Sequence, residues 1–324
     1  MRCIEMATYL VTGGCGFIGS HLCEALIERR DHVRILDDLS TGSLDNAPAA
    51  AEIVRGSVAD SEAVTDAMQG VDGCFHLAAI ASVEHCTQDW FGAHRTNLSG
   101  TIAVFDAARQ VGLRTIPVVY ASSAAVYGDC KELPIAENST AKPRSAYGAD
   151  KYGCELHARV ASEVHGVPTT GLRFFNVYGP RQHPLSPYSG VISIFCNRLL
   201  NHLPIDIFGD GTQTRDFIYV RDVTSILLRA MERIRGSYEV LNVCTGGPTS
   251  IIELAQLIGD LCGWTPQLRF RASRVGEIRH SHGDPTLMRH RFGLDEPTDL
   301  RTGLKKTLAW AQSIKSCRIE NERR

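Results

Sequence analysis

The chain has 324 residues, 44% of them hydrophobic and 22% charged, with a formal net charge of −2. That balance suits a globular protein of one large domain or two ordinary ones, with a sizeable core. The charge speaks against a nucleic-acid partner, and no apolar stretch approaches the ~18 residues of a membrane span.

In chain order, "TYLVTGG" (8–14) is a short apolar run ending in glycines and reads as a buried strand. "GFIGSHLCEALIERR" (16–30) has helical spacing at Ile18, Leu22, Ala25 and Leu26. Further strands are expected at 32–38, 52–57, 73–78, 115–123 and 169–175, with helices near 61–69, 89–112 and 147–165. This alternation predicts an α/β fold, a parallel sheet covered by helices on both faces. After about residue 175 the pattern loosens. "GPRQHPLSPYSG" (179–190) reads as a long loop, 191–201 as a helix, 238–247 as one more buried strand and 249–263 as a capped helix. The expected division is 1–175, with about 216–248 crossing back, and a smaller carboxyl-terminal region of 176–215 and 249–324. Eleven cysteines, an odd number without a CxxC pair, read as reduced thiols. With no signal peptide visible, they suggest a cytoplasmic protein. The scattered histidines offer no metal-ligand set.

Chemistry concentrates first in "VTGGCGFIGSH". Gly13, Gly16 and Gly19 stand between the first strand and the first helix. Glycines there permit a tight turn and let backbone amides approach a pyrophosphate at the helix N-terminus. An acidic residue, Asp37, ends the next strand, where a carboxylate can accept both ribose hydroxyls and repel a 2′-phosphate. The pattern therefore predicts a dinucleotide site for NAD rather than NADP. "SAYGADK" adds Tyr147 and Lys151 at i and i+4, on one helix face. By spacing alone they are either a solvated face or a phenol whose ionised form a nearby ammonium favours.

"TGGCGFIGSHL", "LDDLSTG", "HLAA", "SSAAVYG", "YGADK", "RFFNVYGPRQ" and "TRDFIYVRDV" together resemble the extended short-chain dehydrogenase/reductase family. Within it they are most similar to the nucleotide-sugar 4-epimerases, over residues 8 to 310. The resemblance implies a Rossmann-type doubly wound sheet holding NAD, a smaller carboxyl-terminal region binding a UDP-sugar, and a homodimer formed through helices 89–112 and 147–165. It implies Tyr147, Lys151 and Ser123 as the catalytic set. Implied around the cofactor are Gly13, Gly16, Phe17, Ile18 and Gly19, then Asp37, Asp38, Ser40, Thr41 and Gly42. Ser57, Val58, Leu77, Ala78, Ala79, Asn97, Ser122 and Phe174 complete the cofactor set, together with Tyr147 and Lys151. For the nucleotide sugar it implies Asn176, Gln182, Val191, Phe208, Arg215, Arg274, Glu277 and Ser281, with Ser123 and Tyr147.

Two residues depart from the family pattern. Ser57 stands where an acid usually contacts the adenine, and Ala81 where some epimerases carry a lysine. A third feature bears on the reaction. Dehydratases of the family carry an Asp-Glu pair before Val-Tyr-Gly, and decarboxylases usually keep the glutamate. Here Ala124 and Ala125 occupy those places, and a methyl group is neither acid nor base. The expectation is 4-epimerisation of a UDP-hexose. The alternatives are a UDP-glucuronate 4-epimerase, another nucleotide-sugar epimerase or dehydratase, and an NAD-binding sensor without activity. Small Ser281 predicts room for a 2-N-acetyl group.

Overall fold

The computed structural model describes residues 6–112, 114–182, 190–234, 236–273, 278–293 and 296–322. Seven strands form the main sheet: β1 (Thr8–Thr12), β2 (His32–Asp37), β3 (Glu52–Arg55), β4 (Gly73–His76), β5 (Val118–Ser123), β6 (Thr169–Phe174) and, after a long excursion, β10 (Glu239–Val243). Their order is β10-β6-β5-β4-β1-β2-β3, and every pairing is parallel. The order reverses between β1 and β4, and in such sheets the crevice beyond the strand ends at that reversal is where ligands sit.

Helices cover both faces, as the strand–helix alternation required. Leu22, Cys23 and Leu26 of α1 (Phe17–Glu28) pack with Val223, Ile226 and Leu227 of α8 (Val220–Arg233) over one face. On the other lie α2 (Ser61–Met68), α5 (Gly100–Gln110) and α6 (Ala146–His165), which bury Val64, Met68, Val104, Phe105, Cys154 and Ala158. α6 starts where Ser145 accepts the Gly148 N–H at 3.1 Å and stops at Gly166, φ +68°. Both are the end signals its sequence carries.

One expected helix, 89–112, is interrupted. After α3 (Val83–Gln88) and α4 (Trp90–His94) the chain makes a π-helical turn over Arg95–Ser99 before α5 begins. Within that turn the Asn97 carbonyl receives the Thr101 hydroxyl at 2.6 Å and the Cys154 thiol at 3.2 Å. Such turns recur at functional sites.

After β6 come β7 (Asn176–Tyr178), α7 (Val191–Leu200), β8 (Ile205–Phe208) and β9 (Thr214–Tyr219). Following β10 are β11 (Pro248–Ser250), α9 (Ile251–Cys262), β12 (Leu268–Arg271), β13 (His280–Ser281), α10 (Thr286–Phe292) and α11 (Leu300–Glu322). β9 pairs with β7, β11 and β13, and β8 with β12. Phe195, Leu199, Ile207, Leu254, Ile258 and Leu304 make a separate core here. α9 begins with a capping box in which Ser250 and Glu253 bond each other's backbone amides. Residues 183–189 of the expected loop lie outside the described residues. Among those described, no helix is long and apolar enough to cross a membrane.

Candidate active site

The crevice at the strand-order reversal is a groove of about 360 Å3. Gly13, Gly16, Phe17, Ile18 and Gly19 line one side, and Asp37, Asp38, Ser40 and Thr41 the next. Val58, Leu77, Ala78, Ala79 and Phe174 add to this lining, whereas Gly42, Ser57, Asn97, Ser122, Tyr147 and Lys151 are not part of it. The glycines are there for space. A Cβ on Gly13, at φ +72°, would lie 2.8 Å from the Ala78 nitrogen, and one on Gly19 only 2.2 Å from the Gly13 oxygen. Gly16 caps α1 without any side-chain bond, and the first turn carries no acid, which suits the start of this helix to an anion in the groove that Gly16 to Gly19 line. Asp37 is oriented by two backbone amides, Cys15 and Leu39, each 2.9 Å from a carboxylate oxygen. Asp38 accepts the Ser40 N–H at 2.9 Å. Gly42 packs on the glycine loop, where a Cβ would come within 2.9 Å of the Cys15 carbonyl carbon. This arrangement has the space, the amides and the carboxylate that a dinucleotide needs.

A buried relay ties the groove's walls together. Thr101 gives its proton to Asn97, so its oxygen takes the His76 Nε2–H at 2.9 Å, and His76 Nδ1 accepts from Thr12 at 2.8 Å. Thr12 in turn receives the Leu77 and Ala78 amides, both at 3.2 Å. Burial, helped by the Lys151 charge, pulls the His76 pKa down to about 3, which keeps the ring neutral. Asn97 itself does not line the groove. It holds the backbone of Ile80, a lining residue, accepting its N–H at 2.8 Å and donating to its carbonyl at 3.1 Å.

At the other end stand β5 and α6. The first turn of α6 presses on the turn after β5, so that a Cβ on Gly148 would lie 2.6 Å from the Ala125 oxygen. Tyr147 adjoins Gly148 and Ser123 lies two residues before Ala125, so this contact ties together the segments that carry them. Lys151 is 2% exposed, its Nζ donating to the Ala121 carbonyl at 2.8 Å and lying 5.9 Å from the Tyr147 ring centre. Ser123 accepts the Ala125 N–H at 3.1 Å. Ser122 turns the other way, into the core, donating to Glu155 at 2.5 Å. Ser57 accepts the Ala59 N–H at 3.2 Å, while its neighbours Gly56 and Val58 line the groove.

The residues expected for the sugar nucleotide come from the smaller sheets. Asn176 opens β7, Phe208 closes β8 and Val191 starts α7, whose N-cap Gly190 makes no side-chain bond. Arg215 lies on β9 directly across from Ser281 on β13, and its Nη1 donates to the Thr214 carbonyl at 2.8 Å. Gln182 has both ends of its amide engaged, donating to the Val177 carbonyl at 3.1 Å and accepting from Ser193 at 2.6 Å. Arg274 and Glu277 lie outside the described residues. Sequence reasoning missed Ile80, Thr96 and Ala121 in the groove. It also missed Asp216, which accepts from Thr245, Gly246 and Gly283 and joins two loops behind Arg215. An acid inside the apolar run "DFIYV" was the available signal.

Comparison with known proteins agrees with this geometry. Residues 9–244 match the NAD dependent epimerase/dehydratase family. A putative UDP-glucose 4-epimerase of Methanocaldococcus jannaschii is 36% identical over 94% of this chain and 98% of its own. The UDP-glucose 4-epimerase of Thermotoga maritima, solved with UDP-glucose, superposes with a TM-score of 0.91 at 33% identity, covering 95% of this chain and 99% of that one. The UDP-N-acetylglucosamine 4-epimerase of Methanobrevibacter ruminantium, in complex with UDP-N-acetylmuramic acid, gives 0.90 at 32% identity over 96% and 100%. With likeness along nearly its whole length, the chain belongs to the NAD dependent epimerase/dehydratase family, and NAD is the dinucleotide its groove accommodates.

Proposed function

We propose that the protein inverts C4 of a UDP-hexose. The observation that carries this reading is the end of the groove itself. Lys151 is bonded to the carbonyl of the lining residue Ala121, Tyr147 and Ser123 stand on the two segments that touch at Gly148 and Ala125, and the turn after β5 offers only the methyl groups of Ala124 and Ala125 where elimination or decarboxylation would need an acid or base. The first-turn amides of α1 hold the cofactor's pyrophosphate, Asp37 its adenosine ribose, and Lys151 its nicotinamide ribose. NAD, when bound, accepts the hydride from C4 and gives it back, so it is unchanged over a cycle. Tyr147 takes the proton of the sugar 4-hydroxyl while the Ser123 hydroxyl holds that oxygen. Between the two proton transfers the sugar is a 4-ketone that turns about its diphosphate linkage. Tyr147 then returns the proton to the 4-oxygen as the hydride comes back to the opposite face of C4.

Arg215 and the N-terminal amides of α7 at Val191 bind the diphosphate, Phe208 the uracil and Asn176 the sugar end. The pairing of Ser281 with Arg215 supports a place for this small side chain beside the sugar. UDP-glucose and UDP-galactose are the expected pair, with UDP-N-acetylglucosamine and UDP-N-acetylgalactosamine also accepted. The chain divides into a cofactor unit, 1–175 with 216–248, and a sugar-nucleotide unit, 176–215 with 249–324. Incubation with UDP-hexoses, UDP-N-acetylhexosamines and UDP-uronates, followed by product analysis, tests the reaction. A dehydrated or decarboxylated product, or none, overturns it.

We infer in addition that the active form is a homodimer. Leu156, Val160 and Val164 form an exposed apolar row at i, i+4 and i+8 of α6, and Trp90 and Phe91 are 67% and 76% exposed beside α4's start. So much apolar surface on the helices next to the catalytic pair calls for a partner. Light scattering should give a dimer at micromolar concentration, and Val160→Glu a monomer. A monomeric wild type removes the inference.

A further inference from the structure

The buried polar groups behind the strand end of β5 have no part in the chemistry above. Glu155 is one turn beyond Lys151 on the same face of α6. It is 1% exposed, and one carboxylate oxygen accepts both the Ser122 hydroxyl at 2.5 Å and Arg173 Nε at 2.8 Å. The other accepts Arg173 Nη2 at 2.7 Å. Arg173 is the next-to-last residue of the fully buried strand β6, and its Nη1 donates to the Tyr127 hydroxyl at 2.6 Å and the Glu137 carbonyl at 2.9 Å. The guanidinium also lies 4.8 Å from the Tyr127 ring centre. Tyr127 passes its own proton to Asn242 at 2.6 Å.

A charge pair at this depth is costly unless every donor and acceptor is engaged. Here they are engaged in a particular pattern. The Glu155–Arg173 pair grips the chain on both sides of Ser123: at Ser122 immediately before it, and at Tyr127 in the turn immediately after. Lys151 adds a third hold at Ala121. Ser123 is thereby fixed relative to α6, the helix that carries Tyr147. We propose that Ser122, Glu155 and Arg173 are positioning residues for the proposed epimerase reaction, a clamp that sets the Ser123 hydroxyl against the Tyr147 phenol.

Burial lowers the Arg173 pKa, but the bond and charge of Glu155 outweigh it and hold the guanidinium ionised above its usual range. Tyr127 is pushed up to about 12, first by burial, so it remains a phenol able to donate.

This inference rests on the proposed reaction, and its test separates the two. Ser122→Ala removes one link and leaves Glu155 and Arg173 paired, so it should fold. Expected for the holoenzyme are a loss of kcat of about tenfold, KM for the sugar nucleotide within about twofold, and NAD retained. Ser122→Thr, which keeps the hydroxyl, should recover kcat to within about threefold of wild type. A Ser122→Ala enzyme with wild-type kcat overturns the clamp, as does a Ser122→Thr enzyme no better than the alanine variant. The second measurement is the crystal structure of the Ser122→Ala holoenzyme. There the separation of the Ser123 and Tyr147 oxygens should exceed its value in the wild-type crystal. An unchanged separation overturns the clamp even if wild type turns over no UDP-sugar, whereas absent turnover with a lengthened separation overturns only the reaction.

Discussion

The two ends of the groove are built by opposite means. At the glycine loop the site is shaped by what is missing: Cβ atoms at Gly13 and Gly19, a side-chain cap at Gly16, an acid in the first turn of α1. At the strand end of β5 it is shaped by what is present, a set of buried side chains that leaves little rotational freedom to Ala121, Ser122 or Tyr127. Binding a cofactor that stays through the cycle needs room and fixed amides. Moving a proton to one oxygen and back needs a few side chains held to fractions of an ångström. The difference teaches that the two ends should fail separately.

The largest effect is expected at the catalytic end. Tyr147→Phe removes one hydroxyl, so kcat should fall by about 10^2 to 10^4, the usual worth of a general acid–base group, while the protein keeps its NAD. Steady-state rates and a nucleotide assay on the denatured supernatant measure both, and activity within tenfold of wild type would sink the role of Tyr147. At the other end, Gly13→Ala should do the reverse. A Cβ at φ +72° and 2.8 Å from Ala78 forces strain of about 1 to 3 kcal/mol, so NAD should bind about tenfold to a hundredfold more weakly. Once NAD is added at saturation, kcat should return to near wild type. A kcat that stays low would show that the ends are not separable.

The smallest effect concerns the relay that joins them. His76 has a depressed pKa in the fold, about 3 against about 6.5 unfolded, so below pH 6.5 the unfolded chain takes up a proton that the native one refuses. Stability should therefore fall as pH drops through 6.5 toward 3, by about 1 kcal/mol at pH 5.5 from this residue. Urea unfolding of wild type and His76→Gln at pH 7.5 and 5.5 gives the difference. Parallel losses in both proteins would mean that His76 is protonated in the fold.

The glycine end was legible in the sequence because its signals are local: a strand, three glycines, a helix and an acid, all between Thr8 and Asp37. α9 was equally plain, since Ser250 and Glu253 announce its start and Gly263, at φ +79°, its end. The π-helical turn at Arg95–Ser99 was not, because the groups that meet at its Asn97 carbonyl include a thiol from Cys154 on another helix. The clamp was half visible. Arg173 stands out as the one charge in "TTGLRFF", but its partner is 18 positions earlier and its effect falls on Ser122, 51 positions earlier. The short strands β7, β11 and β13 have two or three residues each, too few for alternation to register.

The position of β10 has a consequence for how the chain reaches this state. β6 is buried at all six residues, and its outer edge is satisfied only by β10, whose first residue is Glu239. Between the two the chain must build α7, β8, β9 and α8. During synthesis β6 therefore waits with open amides and carbonyls, and with Arg173 still short of the Tyr127–Asn242 link that only β10 can complete. A growing or truncated chain ending before Glu239 presents an apolar sheet edge to its neighbours, the template from which strand-to-strand aggregation starts. The step that seals the edge is a parallel pairing between distant segments, the slow kind in folding. Conditions that delay the arrival of β10 should cost yield rather than the activity of the molecules that finish.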